Sequence, residues 1–325
     1  MLIPVLLFVL GLVLLIKGGD WFVDGASAIA QRFHIPEILI GATVVSIGTT
    51  LPEVMVSATS ALGGQGEIAY GNAIGSIICN TSLIAAVTVA IRPSVIKRKA
   101  LILPLAFFYI AAAFYSFVAY TTGFFSRTVG AVLLLLFAAY MIISVFQAKN
   151  DMKNGAGENE EQTDGIKKKS VVMDVVNLVL GAACIALGAR LLVDNGTIIA
   201  EKMGVPESVI ALTFVALGTS LPELVTALTS LVKGHGALSL GNIIGANMFN
   251  LVLVSGVSTV LAPFAVPASK LVGGMNASLV VDIPLMIAVM SFLVIPALVR
   301  EKLSRFQGIV LLFVYGSYCV FQFCI

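Results

Sequence analysis

Long apolar runs alternate with short polar breaks along nearly the whole chain. A helix needs about 20 apolar residues to cross a bilayer. On that scale the pattern predicts ten helices, at about 2–30, 37–61, 67–91, 100–120, 127–147, 171–201, 207–232, 238–262, 278–299 and 304–324. The run from Leu2 to Ile16 lacks a basic leader and a small-residue cleavage site, so it reads as a first spanning helix and not a signal peptide. One stretch breaks the pattern. Residues 148–169 hold Asp151, Glu158, Glu160, Glu161, Asp164 and Lys167 to Lys169, without the ligand spacing of a calcium-binding loop. This reads as a solvated loop between a first five-helix unit, 1–147, and a second, 170–325.

The two units read as copies. With Pro36 set against Pro206, an offset of 206 − 36 = 170, the register holds without a gap to Leu83 and Leu253. IPEILIGATVVSIGTTLPE lies over VPESVIALTFVALGTSLPE, and GNAIGSIICN lies over GNIIGANMFN. About 20 of the aligned pairs are identical, too many for chance, so the chain carries an internal duplication. Five spans is an odd number, so the second copy enters the membrane in the opposite sense. The expected fold is an all-α polytopic membrane protein: ten transmembrane helices in two inverted five-helix repeats, with broken helices at a central site. Such symmetry places one site near the midplane and suits alternating access to it from either side.

Composition narrows the class. A hydrophobic fraction of 59%, a charged fraction of 11% and a mean hydropathy of +1.05 exclude an ordinary soluble domain. No basic patch with interleaved aromatics points to nucleic acid. The net charge of +2 matters less than its distribution. With the N-terminus outside, the inner loops hold Arg32, Arg92, Lys97 to Lys99, Lys149, Lys153, Lys167 to Lys169, Lys233, Arg300, Lys302 and Arg305, while the outer loops hold only Arg127, Lys202 and Lys270. By the positive-inside rule both termini are expected outside a plasma or inner cell membrane, with the loop 148–169 in the cytoplasm. The four cysteines, Cys79, Cys184, Cys319 and Cys324, have no metal-ligand spacing and read as packing residues. The partner implied is the lipid bilayer; no cofactor and no protein partner are.

The candidate chemistry sits in Gly48-Thr49-Thr50-Leu51-Pro52-Glu53 and its copy Gly218-Thr219-Ser220-Leu221-Pro222-Glu223. A charged residue at the centre of a span costs about 2.5–3.5 kcal/mol on insertion scales, and neither motif holds a lysine or arginine to offset it. Proline lacks an N–H and crowds the carbonyl four residues earlier, so carbonyls around Ser46 to Thr49 and Ala216 to Thr219 are expected to be free for a ligand. Carboxylates, hydroxyls and carbonyls are oxygen ligands, which suit hard cations such as Ca2+ and Na+. The absence of histidine and thiolate argues against zinc or copper. Asn72, Ser76 and Asn80 share one helical face, and the second copy gives Asn242, Ala246 and Asn250. The small pairs Gly71/Gly75 and Gly241/Gly245 are expected to let helices approach closely. Two ionised glutamates are neutralised by one Ca2+, two Na+ or two protons, so the residues leave Na+/Ca2+ and H+/Ca2+ antiport both open. An intramembrane hydrolase using the two carboxylates as acid and base is the reading from another class. The repeat and the hydroxyl ligands argue against it, so the chain reads as a transporter and not an enzyme. Asp20, Asp24 and Asp194 read as helix-end polar residues or as structural pairs with Lys17 and Arg190, and Asp174 and Asp282 as interfacial.

The two G-T-[TS]-L-P-E motifs, each followed by G-N-x-x-G-[SA]-x-x-x-N, resemble the cation/Ca2+ exchanger superfamily, most of all its prokaryotic sodium/calcium exchanger branch. The resemblance implies Na+-driven Ca2+ antiport and a four-ion cluster at the centre, with helices one and six sliding as a gating pair. It implies Glu53 and Glu223 as Ca2+ ligands together with the carbonyls of Thr49 and Thr219. Thr50, Ser220 and Ser76, with the carbonyls of Ser46 and Ala216, would serve flanking Na+ sites, and Asn80 and Asn250 would line the middle. The chain departs from the pattern at Ala246, where relatives often carry serine, which weakens one flanking Na+ site. Asn250 stands where some carry aspartate, which argues against K+ dependence.

Overall fold

The computed structural model describes residues 2–93, 98–154, 170–203, 218–268 and 270–324. Among them the apolar runs form helices α1 (Leu2–Arg32), α2 (Glu37–Leu62), α3 (Gly66–Ile91), α4 (Arg98–Thr121) and α5 (Arg127–Asn154). The second half gives α6 (Val171–Lys202), α7 (Leu221–Val232), α8 (Gly236–Leu261), α9 (Ser278–Arg300) and α10 (Arg305–Cys324). Among the described residues, eight helices are long and apolar enough to cross a membrane; α7, with 12 residues, is a shorter apolar helix. Ala216 and most of the loop expected at 148–169 lie outside the described residues. Helix α5 runs to Asn154 and not to 147, because the polar residues that follow its apolar run continue the same helix. Two minute ribbons interrupt the helical architecture: Phe124–Phe125 pairs antiparallel with Phe264–Ala265, and Leu271–Val272 with Met275–Asn276.

The duplication is visible in the turns. After α2, Gly64 has φ +79, with Gly64 N–H donating to Ala61 O and Gln65 N–H to Ser60 O. After α7, Gly234 has φ +88, with Gly234 N–H donating to Leu231 O and His235 N–H to Ser230 O. Both are glycine-terminated helix ends of the same hydrogen-bond pattern, which satisfies the last carbonyls and favours a residue without a Cβ.

The most extensive packing joins α1 to α6. A Cβ on Gly11 would lie 2.9 Å from Gly188 O, and one on Gly18 3.0 Å from Gly181 O. Residues thus rise along α1 as they fall along α6, so the two helices, equivalent in the repeats, run antiparallel. Phe22, Val23 and Ile185 fill this interface. A larger apolar cluster, including Ile74, Phe108, Ile243, Phe249 and Leu293, packs α3, α4, α8 and α9. Large apolar side chains such as Leu6, Phe117, Leu135, Phe146 and Phe313 are exposed, as a lipid-facing surface requires.

Helices α2, α3, α8 and α9 each contain a π-helical turn. These span Gly41–Val45, Asn80–Ala85, Asn250–Val254 and Ser278–Asp282. Such a turn carries an extra residue and often marks a functional position. Hydroxyls take up carbonyls it displaces: Ser46 Oγ donates to Gly41 O at 2.7 Å, Ser255 Oγ to Asn250 O at 3.1 Å, and Tyr140 Oη from α5 to Ala42 O at 2.8 Å.

Candidate cation-binding site

Helix α2 carries Ser46, Thr49, Thr50, Glu53 and Ser57 on one buried face, the spacing of consecutive helical turns. The helix is not broken at the motif. Ser46–Leu62 is continuous with Pro52 inside it, and the irregularity lies upstream in the π-turn. The second motif differs. Thr219 and Ser220 form a turn, Ser220 caps α7 with φ −91 and ψ 3, and Pro222 stands in the first helical turn, where its missing N–H costs nothing. Glu223 therefore lies at a helix N-terminus, whose free N–H groups favour a negative charge.

The glutamates meet at the centre. Both side chains are fully buried, they neighbour each other, and Thr49 and Thr50 flank Glu223. Yet none of the four carboxyl oxygens has a partner with hydrogen-bond geometry among the described residues. An uncompensated buried carboxylate is costly. Two in contact constitute a place for positive charge. Thr50 Oγ, Ser220 Oγ and both ends of the Asn80 and Asn250 amides are likewise buried and without a partner among the described residues. Ser76 is buried on α3, and its counterpart Ala246 is buried on α8 without a hydroxyl. Among the described residues no group of three His, Cys, Asp or Glu side chains is assembled. A metal here would draw on hydroxyl, amide and carbonyl oxygens beside the two carboxylates.

Two asparagines brace this centre. Asn72 Nδ2 donates to Glu53 O at 3.2 Å and to Ser57 Oγ at 2.7 Å, and its Oδ1 accepts from Thr219 Oγ at 3.2 Å. Asn242 Oδ1 accepts from Thr49 Oγ at 3.2 Å and from Ser46 Oγ at 3.3 Å. Helix α8 reaches α2 because Gly241 and Gly245 have no side chains. A Cβ would lie 2.3 Å from Ile38 O at the first and 2.3 Å from Ser46 Oγ at the second. At Gly71 and Gly75 nothing described lies within 4 Å. The stretch equivalent to Ile38–Ala42, residues 208–212, falls outside the described residues.

Other acidic residues stand apart from this cluster. Lys233 Nζ pairs with Asp24 at 2.7 Å and Asp20 at 3.3 Å, so it, not Lys17, is their partner. Arg190 and Asp194 form the expected pair at 3.5 Å, highly exposed. Arg32 holds Asp174 at 2.8 Å, and His235 Nδ1 meets Glu37 at 2.7 Å. Asp282 accepts from Tyr318 and Gln322, each at 3.2 Å. Sequence reasoning missed Ser57 and Tyr140. Ser57 sits one turn beyond Glu53 on the same face and could have been found by extending that face; Tyr140 carries no local signal.

A family profile described as sodium/calcium exchanger protein matches residues 3–146 and 173–324. A relative named putative antiporter CaxA, from Alkalimonas amylolytica, is 35% identical over 323 residues, covering 98% of both chains. The sodium/calcium exchanger MaX1 of Methanosarcina acetivorans is 32% identical over 367 residues, again 98% of both. The fold superposes on a solved structure of the sodium-calcium exchanger NCX_Mj soaked with 10 mM Na+ and zero Ca2+, with a TM-score of 0.79 and 34% identity over 97% of both chains. With the profile spanning both halves and the likeness extending end to end, this chain is a membrane transporter belonging to the sodium/calcium exchanger protein family.

Proposed function

We propose that the protein is a secondary active antiporter that exchanges Na+ for Ca2+ by alternating access, with Ca2+ held between Glu53 and Glu223. The observation that carries this reading is the pair of neighbouring, fully buried carboxylates, one from each copy of the motif, whose oxygens have no partner among the described residues. One Ca2+ offsets both charges, and so do two Na+. Either load relieves the same cost, and neither is accommodated while the other is present. Competition for one site that opens to a single side at a time is sufficient to couple the two gradients.

The carbonyls of Thr49 and Thr219 complete the Ca2+ shell. Thr50, Ser220 and Ser76, with the carbonyls of Ser46 and Ala216, serve the flanking Na+ positions, and Asn80 and Asn250 line the middle. The repeats, 1–147 and 170–325, are inverted copies that give ten spans, with 148–169 as the cytoplasmic connection and both termini outside the cell membrane. The antiparallel contact of α1 with α6 and the matched turns at Gly64 and Gly234 support the inversion and the duplication.

The test is Ca2+ uptake by proteoliposomes loaded with Na+ and diluted into Na+-free buffer. Uptake that collapses when the Na+ gradient is dissipated, and is indifferent to an imposed pH gradient, is the expected result. Uptake that ignores Na+ and follows the pH gradient would replace Na+ by H+ as the coupling ion at the same glutamates.

A further inference from the structure

We infer that Asn72 and Asn242 are positioning residues. Each fixes the hydroxyl proton of the motif threonine in the opposite repeat, Thr219 and Thr49, and so keeps that proton away from the glutamates. The inference rests on the reading that the cation lies between Glu53 and Glu223.

Hydrogen-bond chemistry sets the orientation of Asn72. Its Nδ2 faces Glu53 O, a carbonyl that can only accept. The other end of the amide is therefore the acceptor Oδ1, and Thr219 Oγ, 3.2 Å away, must be the donor. Asn242 stands at the equivalent position, offset by 242 − 72 = 170 residues. Its Oδ1 lies 3.2 Å from Thr49 Oγ, the equivalent threonine. Ser46 Oγ has a single proton and shorter contacts to Gly41 O at 2.7 Å and Asn242 O at 2.9 Å, so Thr49 is the principal donor to the Asn242 side chain. Both asparagine contacts cross from one repeat to the other.

A threonine hydroxyl carries one proton and two lone pairs. Thr49 stands beside the Glu223 carboxyl. Free to rotate, its hydroxyl would donate to that carboxylate, a charge-assisted bond that competes directly with a cation. Thr49 Oγ also lies 3.4 Å from Ser46 O, so Asn242 Oδ1 at 3.2 Å is its nearer acceptor; with the proton held there, the carboxylate is left bare and the hydroxyl turns lone pairs towards the centre. Asn72 holds the proton of Thr219, the equivalent threonine, by the same contact.

The experiment is a pair of double-mutant cycles read as the half-saturating Ca2+ concentration. Ca2+ alone is titrated into the purified full chain by calorimetry, with melting curves as a folding control. The matched cycles combine N242L with T49V, and N72L with T219V; the crossed control combines N242L with T219V. Each single substitution is expected to raise half-saturation about tenfold, the effect of losing one hydrogen bond near a charge. The matched doubles are expected to be no weaker than their weaker single, because both substitutions remove the same contact, while the crossed double multiplies to about a hundredfold. Matched doubles that also multiply overturn the inference. Where leucine does not yield folded protein, N242D retains the acceptor oxygen, loses no donated bond among the described residues and adds charge, and is expected to tighten Ca2+ binding; a tenfold weakening overturns the inference equally. Failure of the exchange reading is separate: Ca2+ uptake indifferent to Na+ would remove the coupling ion while leaving the binding cycles unaffected.

Discussion

In the first repeat the motif from Gly48 to Glu53 lies inside an unbroken helix, whereas in the second, Gly218 to Glu223 straddles a turn and a helix start. Glu53 is held on a helix interior and its backbone carbonyl is tied by Asn72, while Glu223 sits at the positive end of a helix. The same residues thus reach the same centre by two different backbones. The hydroxyls around them also differ. Ser46, Ser57 and Ser76 of the first repeat align with Ala216, Ala227 and Ala246 of the second. What the copies share is charge and the threonine–asparagine contact; what they do not share is the serine shell. On the proposed assignment, the divalent site would draw on elements that both copies keep, and the flanking position beside Ser76 would have no matching hydroxyl at Ala246.

If charge is the symmetric element, E53Q and E223Q should fail alike. Each is expected to reduce Na+-driven Ca2+ uptake at least about a hundredfold, because a neutral amide cannot offset half of a divalent charge. A large inequality between them, measured at equal reconstitution, would break the symmetry claim. The close approach of α8 to α2 comes next in size. G245A must push α8 away from Ser46 Oγ and from Ala42 Cα, 2.6 Å from the new Cβ, and is expected to cost about 1–3 kcal/mol in thermal unfolding.

Next in size is the serine shell. A246S returns a hydroxyl opposite Ser76 and should lower the Na+ concentration that half-inhibits Ca2+ uptake about threefold to tenfold, and S76A should raise it. An A246S protein with unchanged Na+ competition would show that the position is not part of a Na+ site. The smallest effect is expected from A227S. It places a hydroxyl at the counterpart of Ser57, which serves Asn72, and the Nδ2 of the counterpart asparagine, Asn242, has no partner among the described residues. A gain of up to about 1 kcal/mol in unfolding stability is expected, with Ca2+ uptake little changed.

Much of this was legible in the residues alone. The offset of 170 pairs Glu53 with Glu223 and Asn72 with Asn242 without any structure, because a duplication leaves identical strings. Helix positions among the described residues followed from run length, since a bilayer fixes how long an apolar segment must be; the first half of the helix expected at 207–232 lies outside them. The continuity of α2 through Pro52 was not legible. Proline predicts a break from local sterics, but the irregularity is displaced upstream to Gly41–Val45, where the hydroxyls of Ser46 and of Tyr140, 98 residues beyond Ala42, satisfy carbonyls. The partner of Asp20 and Asp24 was also hidden, because Lys233 approaches from more than 200 residues away while Lys17 is merely near in sequence. Local pattern thus identified the costly charges, and tertiary packing decided which oxygens surround them.

On the proposed reading both repeats share one cation site, which calorimetric titration of Ca2+ into the purified chain without Na+ can count. A single Ca2+ bound per chain is expected in the unaltered protein, and no measurable binding to either E53Q or E223Q. A glutamate variant that still binds Ca2+ with unaltered affinity would mean that the two carboxylates do not hold one ion, and would contradict it.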